Sequence, residues 1–556
     1  MSRKNKRRVE IDPDEILIDS SNLPEFDTDQ LEGRMERPLG RGSFVAVGSV
    51  LALLFFGLMF RAGQLQLMRG AAFAKQAIDN QLTETPIFAD RGVITDRTGV
   101  PLAWNDRAST STEFADRVYA SYVGLAHAVG YVKQPAKDSA GFYYRDFFLG
   151  MDGAERAYDT TLAGTNGLKL TETDAHGKVV SQAQVDPPQA GAKLVLSIDA
   201  DATQAMYQAL ASVAHSSHFQ GAAGVVIDVR TGEILVMTSY PDYSAQALTD
   251  GDAAAIKALG TNPYRPFLNR ATAGLYAPGS IVKPVVAAAA LTEGVITPST
   301  QIVSTGSISV PNQYDPAHPS VFNDWRVNGI MTVRDAIAVS SDVFFYEVGG
   351  GYPGQPGLGI TKLDQYFKMF GFGSAPGLPG YVNAAGNVPT PDWKAENFPD
   401  DPTWRLGDTY HTAIGQYGML VSPLQAAREA AAIANGGTLL TPTIIASTTP
   451  QGTKLPVSQD VLQIVREGMR QGVTKGIVQA INFSFVHPAG KTGTAQVGTH
   501  NEYQNAWMIG FWPYENPHYA FAVVLEKLPK DTPVGGSIVM SDFLQYLEAH
   551  DPQYLQ

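Results

Sequence analysis

Ala277-Pro278-Gly279-Ser280-Ile281-Val282-Lys283, followed by Pro284 and the apolar run 285–291, is the stretch around which this 556-residue chain is organised. Pro278-Gly279 predicts a turn, and the alanine-rich run behind it predicts a helix whose N-terminus falls at Ser280. Lys283 follows three residues later, one turn along the same helix face and within reach of the Ser280 hydroxyl. A serine hydroxyl is a poor nucleophile until a base removes its proton, and a lysine does this when burial and the positive helix end lower its pKa. The spacing therefore predicts a Ser280 nucleophile with Lys283 as its base. Alone the pattern is weak, because Ser-x-x-Lys arises by chance roughly once or twice in a chain of this length.

Two further segments change its weight. Ser340-Ser341-Asp342 lies sixty residues downstream, and Lys491-Thr492-Gly493-Thr494 lies farther still. The order Ser-x-x-Lys, Ser-x-Asn, Lys-Thr-Gly is the motif set of the penicillin-interacting serine enzymes, here with Asp342 in the asparagine position. Residues 490–497 alternate small and β-branched side chains and predict an edge strand lining a cleft, with Gly493 leaving room for a substrate backbone. Lys491 brings positive charge beside the nucleophile, and the hydroxyls of Thr492 and Thr494 suit a terminal carboxylate. The backbone N–H groups of Ser280 and Thr494 form the expected oxyanion hole. Ser340 is expected to pass a proton between a leaving amine and the lysines. Two lysines in one cleft cannot both easily hold a full charge, and Lys283 is expected to be the one that deprotonates. Asp342, a carboxylate between two lysines, is expected to be ion-paired.

Composition removes other chemistries. A net charge of -13, with no basic stripe carrying interleaved aromatics, argues against a nucleic-acid surface. The absence of cysteine excludes disulfides, thiolate metal sites and a cysteine nucleophile. The ten histidines show no metal-ligand spacing, so no metal is expected. His411 and His487 read as packing or surface residues. Asp324-Trp325, Trp404 and Gly407-Asp408-Thr409 either line the cleft or cap turns.

Outward from the motifs, residues 1–43 are basic, then acidic, and read as a mobile tail. Residues 44–60 carry no charge and extend through residue 67 as a membrane-spanning helix, for which the alternative is a buried core helix. Basic residues before it place the N-terminus in the cytoplasm and everything after it outside. Residues 70–80 predict a helix, 89–103 a hairpin turning at Thr98-Gly99, 193–199 a strand and 202–214 a helix. Residues 222–229 and 233–239 predict a second hairpin, 363–370 and 423–435 helices, and 506–511 and 519–525 late strands. Strands at both ends of the catalytic region imply one sheet closed by sequence-distant strands, an α+β domain.

On these residues the chain resembles the class B penicillin-binding proteins, most closely the penicillin-binding protein 2 group of the cell-elongation machinery, from the anchor to the C-terminus. Residues 91–103 resemble that class's pedestal motif, and Asn269-Arg270 through Lys283-Pro284 its nucleophile region. Gly407-Asp408-Thr409 with Ala413-Ile414-Gly415-Gln416, and residues 490–496, resemble the elongation branch, which is similar to this chain in tolerating Asp342. The resemblance implies a tail (1–43), a transmembrane helix (44–67), a small mainly-β pedestal (68–217) and a serine β-lactamase/transpeptidase-like domain (218–556) with an antiparallel sheet and flanking helices. It implies a peptidoglycan D,D-transpeptidase that cross-links stem peptides through a serine acyl-enzyme formed on D-Ala-D-Ala. Such an enzyme is inhibited by β-lactams, uses no cofactor, and works outside the bacterial cytoplasmic (inner) membrane. No segment resembles a glycosyltransferase, so lipid-II-derived glycan strands are expected from a polymerase of the shape, elongation, division and sporulation family. Gly48 and Gly57 in the span and the exposed part of residues 91–103 are the expected contacts. A D,D-carboxypeptidase would use the same residues with water as acceptor. A penicillin-sensing receptor would need a signalling domain that residues 1–43 are too short to hold.

Overall fold

The computed structural model describes residues 41–72, 81–107, 113–173, 179–312, 315 and 317–556. The chain divides into two compact units, residues 1–83 with 171–182, and residues 84–170 with 183–556. In the first, a helix over Arg41–Gly63 continues as a π-turn over Gln64–Met68. Within it, Phe44–Met68 is the one helix among the described residues long and apolar enough to cross a membrane. Most of its phenylalanine and leucine side chains, Phe55, Phe56 and Leu58 among them, are exposed, as a lipid-facing surface requires. The expected tail, apart from its last three residues, and most of the helix expected over 70–80 lie outside the described residues.

The second unit begins with a small β region. Ile94–Thr95 pairs antiparallel with Pro101–Asp106 across the expected turn at Thr98-Gly99. The turn is held by Asp96 Oδ1, which accepts from the N–H groups of Thr98 and Val100 at 2.8 and 2.9 Å. Pro101–Asp106 then pairs with Asp116–Tyr119, and Leu194–Val195 runs parallel to Ile94–Thr95. The strand expected over 193–199 is only these two residues long, because Ser197 turns to donate to Ile444 O and Asp199 caps the following helix.

Buried ion pairs hold this region. Arg91 donates from Nε to Glu155 Oε2 and from Nη2 to Asp159 Oδ1, both at 2.6 Å, and Arg117 Nε donates to Glu155 Oε1 at 2.8 Å. Arg91, Arg117 and Glu155 are essentially inaccessible. Removing the shared carboxylate would leave the buried Arg117 guanidinium without its carboxylate and Arg91 with Asp159 alone, the costly way to break such a network. Residues 91–103 are thus mostly interior. Only Thr98, Gly99 and Pro101 are exposed, which leaves little of the segment free for the partner contact expected from sequence.

The catalytic region is an antiparallel sheet between two helical layers. We label its strands β1 (Gly221–Asp228), β2 (Ile234–Tyr240), β3 (Ala489–Val497), β4 (Tyr503–Trp512) and β5 (Tyr519–Pro529). Their order is β2-β1-β5-β4-β3, so the last strand pairs directly with the first, as expected, in the register Gly224↔Val523. The principal helices are α1 (Ala200–Ser217), α2 (Lys283–Thr292), α3 (Val333–Val339), α4 (Asp342–Gly350), α5 (Leu406–Ala413), α6 (Pro423–Ala434), α7 (Gln459–Thr474) and α8 (Gly536–His550). Alternate residues of β1 serve opposite cores. Val225 and Ile227 pack in the cluster that contains Val285 of α2 and Leu424 of α6, whereas Val226 packs with Met206 of α1 and Phe543 of α8. Because both faces are covered, β1 reads as a continuous apolar run with no alternation.

On α4, the Glu347 carboxyl is buried, and burial raises its pKa from 4.5 to about 7. With the folded value above the unfolded one, its stabilisation is fully present below pH 4.5 and is lost as pH rises through about 7. Chemical denaturation should therefore show stability falling across that window, by about 3 kcal/mol, and Glu347→Gln should flatten the dependence. An unchanged pH slope in the variant would remove Glu347 as its source.

Candidate active site

The nucleophile sits in a turn that the rest of the fold closes around. Gly279–Val282 forms a single 3₁₀ turn, and the α-helix begins only at Lys283, with Pro284 in its first turn. Ser280 thus precedes α2 by three residues, where sequence placed it at the helix start. Gly279 adopts φ +57°, and a Cβ there would lie 2.7 Å from Thr494 O of β3. Gly279 N donates to Gly415 O at 2.9 Å, and Trp507 Nε1 of β4 donates to Ala277 O at 2.9 Å, so the turn is fixed from three directions. Gly493 serves the same closure. A Cβ on it would stand 2.6 Å from Pro278 O, so its lack of a side chain admits the nucleophile turn, where sequence had it admitting substrate. The strand itself is at the sheet edge, as expected.

Two lysines lie buried beneath this turn and meet at one hydroxyl. Lys283 Nζ donates to Asp342 Oδ1 at 2.6 Å, to Ser340 O at 2.8 Å and to Ser340 Oγ at 3.4 Å. Lys491 Nζ donates to the same Ser340 Oγ and to Thr492 O, each at 2.7 Å. No hydrogen bond joins Lys283 to Ser280 Oγ among the described residues. Ser340 ends α3 with φ +60°, a left-handed conformation that a serine holds only when its surroundings impose it. Burial, reinforced by repulsion from Lys283 and opposed by Asp342, drives the pKa of Lys491 well below the ordinary lysine value. Sequence reasoning expected Lys283 to be the neutral amine. The carboxylate of Asp342 touches Lys283 and does not touch Lys491, so the ion pair falls on the former and the desolvation cost on the latter.

Above the lysines opens a cleft of about 870 Å³ that brings together Ser280, Ser340, Asp342, Thr492 and Thr494. Of the predicted site residues only Lys283, Lys491 and Gly493 are withdrawn from it into the floor. Trp325, His411 and Tyr417 form its walls. His411, read from sequence as a packing residue, does pack, with its ring 5.5 Å from that of Phe322, but it also faces the cleft. Burial lowers its pKa against the pull of Asp408 and Asp342. His487 is remote and exposed, paired with Glu515. Asp408 caps the N-terminus of α5 and pairs with Lys394 at 2.7 Å, and Trp404 Nε1 donates to Thr409 Oγ1, so residues 404–409 serve as a cap. The residue whose weight the sequence concealed is Asp324. Its carboxylate is buried beside the cleft and accepts bonds from three separate segments, and its only local signal is the adjoining tryptophan. Among the described residues, no group of histidine and acidic side chains is placed to hold a metal ion.

Residues 222–540 match the penicillin binding protein transpeptidase domain, and residues 109–196 match the penicillin-binding protein dimerisation domain. The chain is 30% identical over 450 residues to the peptidoglycan D,D-transpeptidase MrdA of Escherichia coli K12, covering 74% of this chain and 68% of that one. It superimposes with a TM-score of 0.70 and 25% identity on penicillin-binding protein PBP2 in a complex with MreC from Helicobacter pylori, over 85% of this chain and 99% of that one. A structure titled as the coordination of polymerization and crosslinking by a peptidoglycan synthase complex is similar over 93% of this chain and 99% of that one, with a TM-score of 0.69 and 26% identity.

Proposed function

Because this chain belongs to the class B penicillin-binding proteins, which are peptidoglycan D,D-transpeptidases, we propose that Ser280 is its acyl-carrying nucleophile and that Lys283, Ser340 and Lys491 move the protons. The observation that carries this is the convergence of two buried lysine amines on Ser340 Oγ beneath the Ser280 turn. Ser280 Oγ attacks the carbonyl carbon of the penultimate D-alanine, and its proton passes to the lysine cluster. The bond to the terminal D-alanine breaks, and that residue's nitrogen takes a proton back through Ser340. The acceptor amine then attacks the ester, forming the cross-link and returning a proton to Ser280. Lys283 is held against Asp342 at 2.6 Å, and burial favours the neutral amine at Lys491. Ser340 Oγ, within reach of both amines, is the path by which a proton moves between the base Lys283 and Lys491. Thr492 and Thr494 face the cleft and suit the substrate carboxylate. The N–H groups of Ser280 and Thr494 flank the contact at Gly279 and suit the developing oxyanion.

The same reading extends to placement and partners. The helix Phe44–Met68 anchors the chain in the bacterial inner membrane, with the catalytic region on the outer side as the basic flank directs. The partner is a lipid-II polymerase of the shape, elongation, division and sporulation family, which approaches the span at Gly48 and Gly57. Both glycines are open on the helix surface.

Labelling the detergent-solubilised protein with a fluorescent penicillin, followed by proteolysis and mass spectrometry, tests the site. The adduct is expected on the peptide containing Ser280. An adduct on any other residue overturns the assignment.

A further inference from the structure

Resting on the Ser280 reading above, we infer that Asp324 is the positioning residue of this active site, the group that holds Ser340 and Asp342 where the two lysines can use them. Asp324 is 9% exposed and touches neither lysine. Its carboxylate gathers the segments around the second motif. Oδ1 accepts from Asp342 N at 3.1 Å and from Trp325 N at 2.9 Å. Oδ2 accepts from Ser341 Oγ at 2.6 Å, Ser304 Oγ at 2.9 Å, Asn328 Nδ2 at 3.1 Å and Val343 N at 3.3 Å. The two N–H groups from residues 342 and 343 belong to the first turn of α4, which would otherwise lack partners, and Ser341 Oγ in turn accepts from Phe344 N. One carboxylate thereby ties the start of α4 to the short strand Ile302–Ser304 and to the loop at 325–328.

This support falls where it is needed. Ser340 sits between α3 and α4 at φ +60°, a conformation that relaxes unless the residues after it are pinned. Its Oγ must stay within reach of both amines, and Asp342 must keep its oxygen at 2.6 Å from Lys283. The bonds from Ser341 and from the N–H of Asp342 fix the two residues that follow Ser340. Chemistry also specifies a carboxylate. Burial alone would raise the pKa of Asp324, but the bonds from Ser341, Asp342 N, Ser304 and Val343 N outweigh it and lower the value, so the group is ionised. An asparagine cannot replace it. Each oxygen accepts a backbone N–H, from residue 342 on one side and 343 on the other, so the amide NH₂ would face a fixed donor in either orientation.

The test separates positioning from folding and from binding. Stopped-flow acylation of the full-length protein by a fluorescent penicillin yields the noncovalent dissociation constant, the first-order acylation constant and the labelled amplitude. In Asp324→Asn the acylation constant is expected to fall about 10- to 100-fold, as when reacting groups are misplaced by a fraction of an ångström. The dissociation constant should stay within about threefold and the amplitude should remain full. A loss of amplitude with a normal acylation constant in the labelled fraction would make Asp324 a folding residue only and overturn the inference, as would an acylation constant near wild type. Ser304→Ala, which removes one donor to Asp324 that bonds to neither lysine, decides the matter if the asparagine variant does not fold. It should lower the acylation constant about fivefold, and no change overturns the inference. A wild-type adduct away from Ser280 would instead sink the underlying assignment, which the peptide mapping detects independently.

Discussion

Ser280→Ala abolishes penicillin labelling and cross-linking while the protein melts within a few degrees of wild type. Loss of the nucleophile costs on the order of a millionfold in turnover in a Ser-His-Asp protease. The variant deletes one oxygen from a half-buried residue. The bonds that hold its turn, from Gly279 N to Gly415 O and from Trp507 Nε1 to Ala277 O, come from other residues. Stability and chemistry are therefore separable at this position. Gel fluorescence after penicillin treatment, read beside a thermal melt, checks both at once. A variant that still labels at the wild-type rate would place the nucleophile elsewhere in the cleft.

Lys283→Arg lowers the acylation rate by more than about a hundredfold, the contribution of a general base. A guanidinium keeps the charge that Asp342 pairs with and cannot give up its proton, so the substitution isolates the base role from the ion pair. The geometry adds a pH dependence. Acylation needs a neutral amine in the cluster, and burial favours that form at Lys491. As pH falls until Lys491 takes a proton, the cluster loses its proton acceptor and the rate drops. Acylation constants measured across pH on wild type and Lys283→Arg check this. A variant within threefold of wild type, with the same pH profile, would move the base role to Lys491 acting through Ser340.

Motif spacing, turn chemistry and hydrophobic period are local properties, and the parts of this protein that depend on them were legible in its sequence. Ser280 and Lys283 are three residues apart, the hairpin at Thr98-Gly99 is set by its turn, and the apolar helix from Phe44 needs only length and a scarcity of charge. The pairing of the last strand with the first was legible too, because apolar strands stood at both ends of the catalytic region. What only the tertiary structure decided rests on contacts between groups far apart in the chain. Lys283 and Asp342 are 59 residues apart, and Ser340 and Lys491 are 151 apart. Which lysine carries the charge depends on which of them a carboxylate touches and how completely the other is dried, and neither is encoded in spacing. Gly493 is small to admit Pro278, and Asp324 is an acid to hold the start of α4 and the serines at 304 and 341. Short-range steric preference and periodicity act within a few residues of chain, whereas desolvation and hydrogen-bond satisfaction are set only when distant segments are brought into contact.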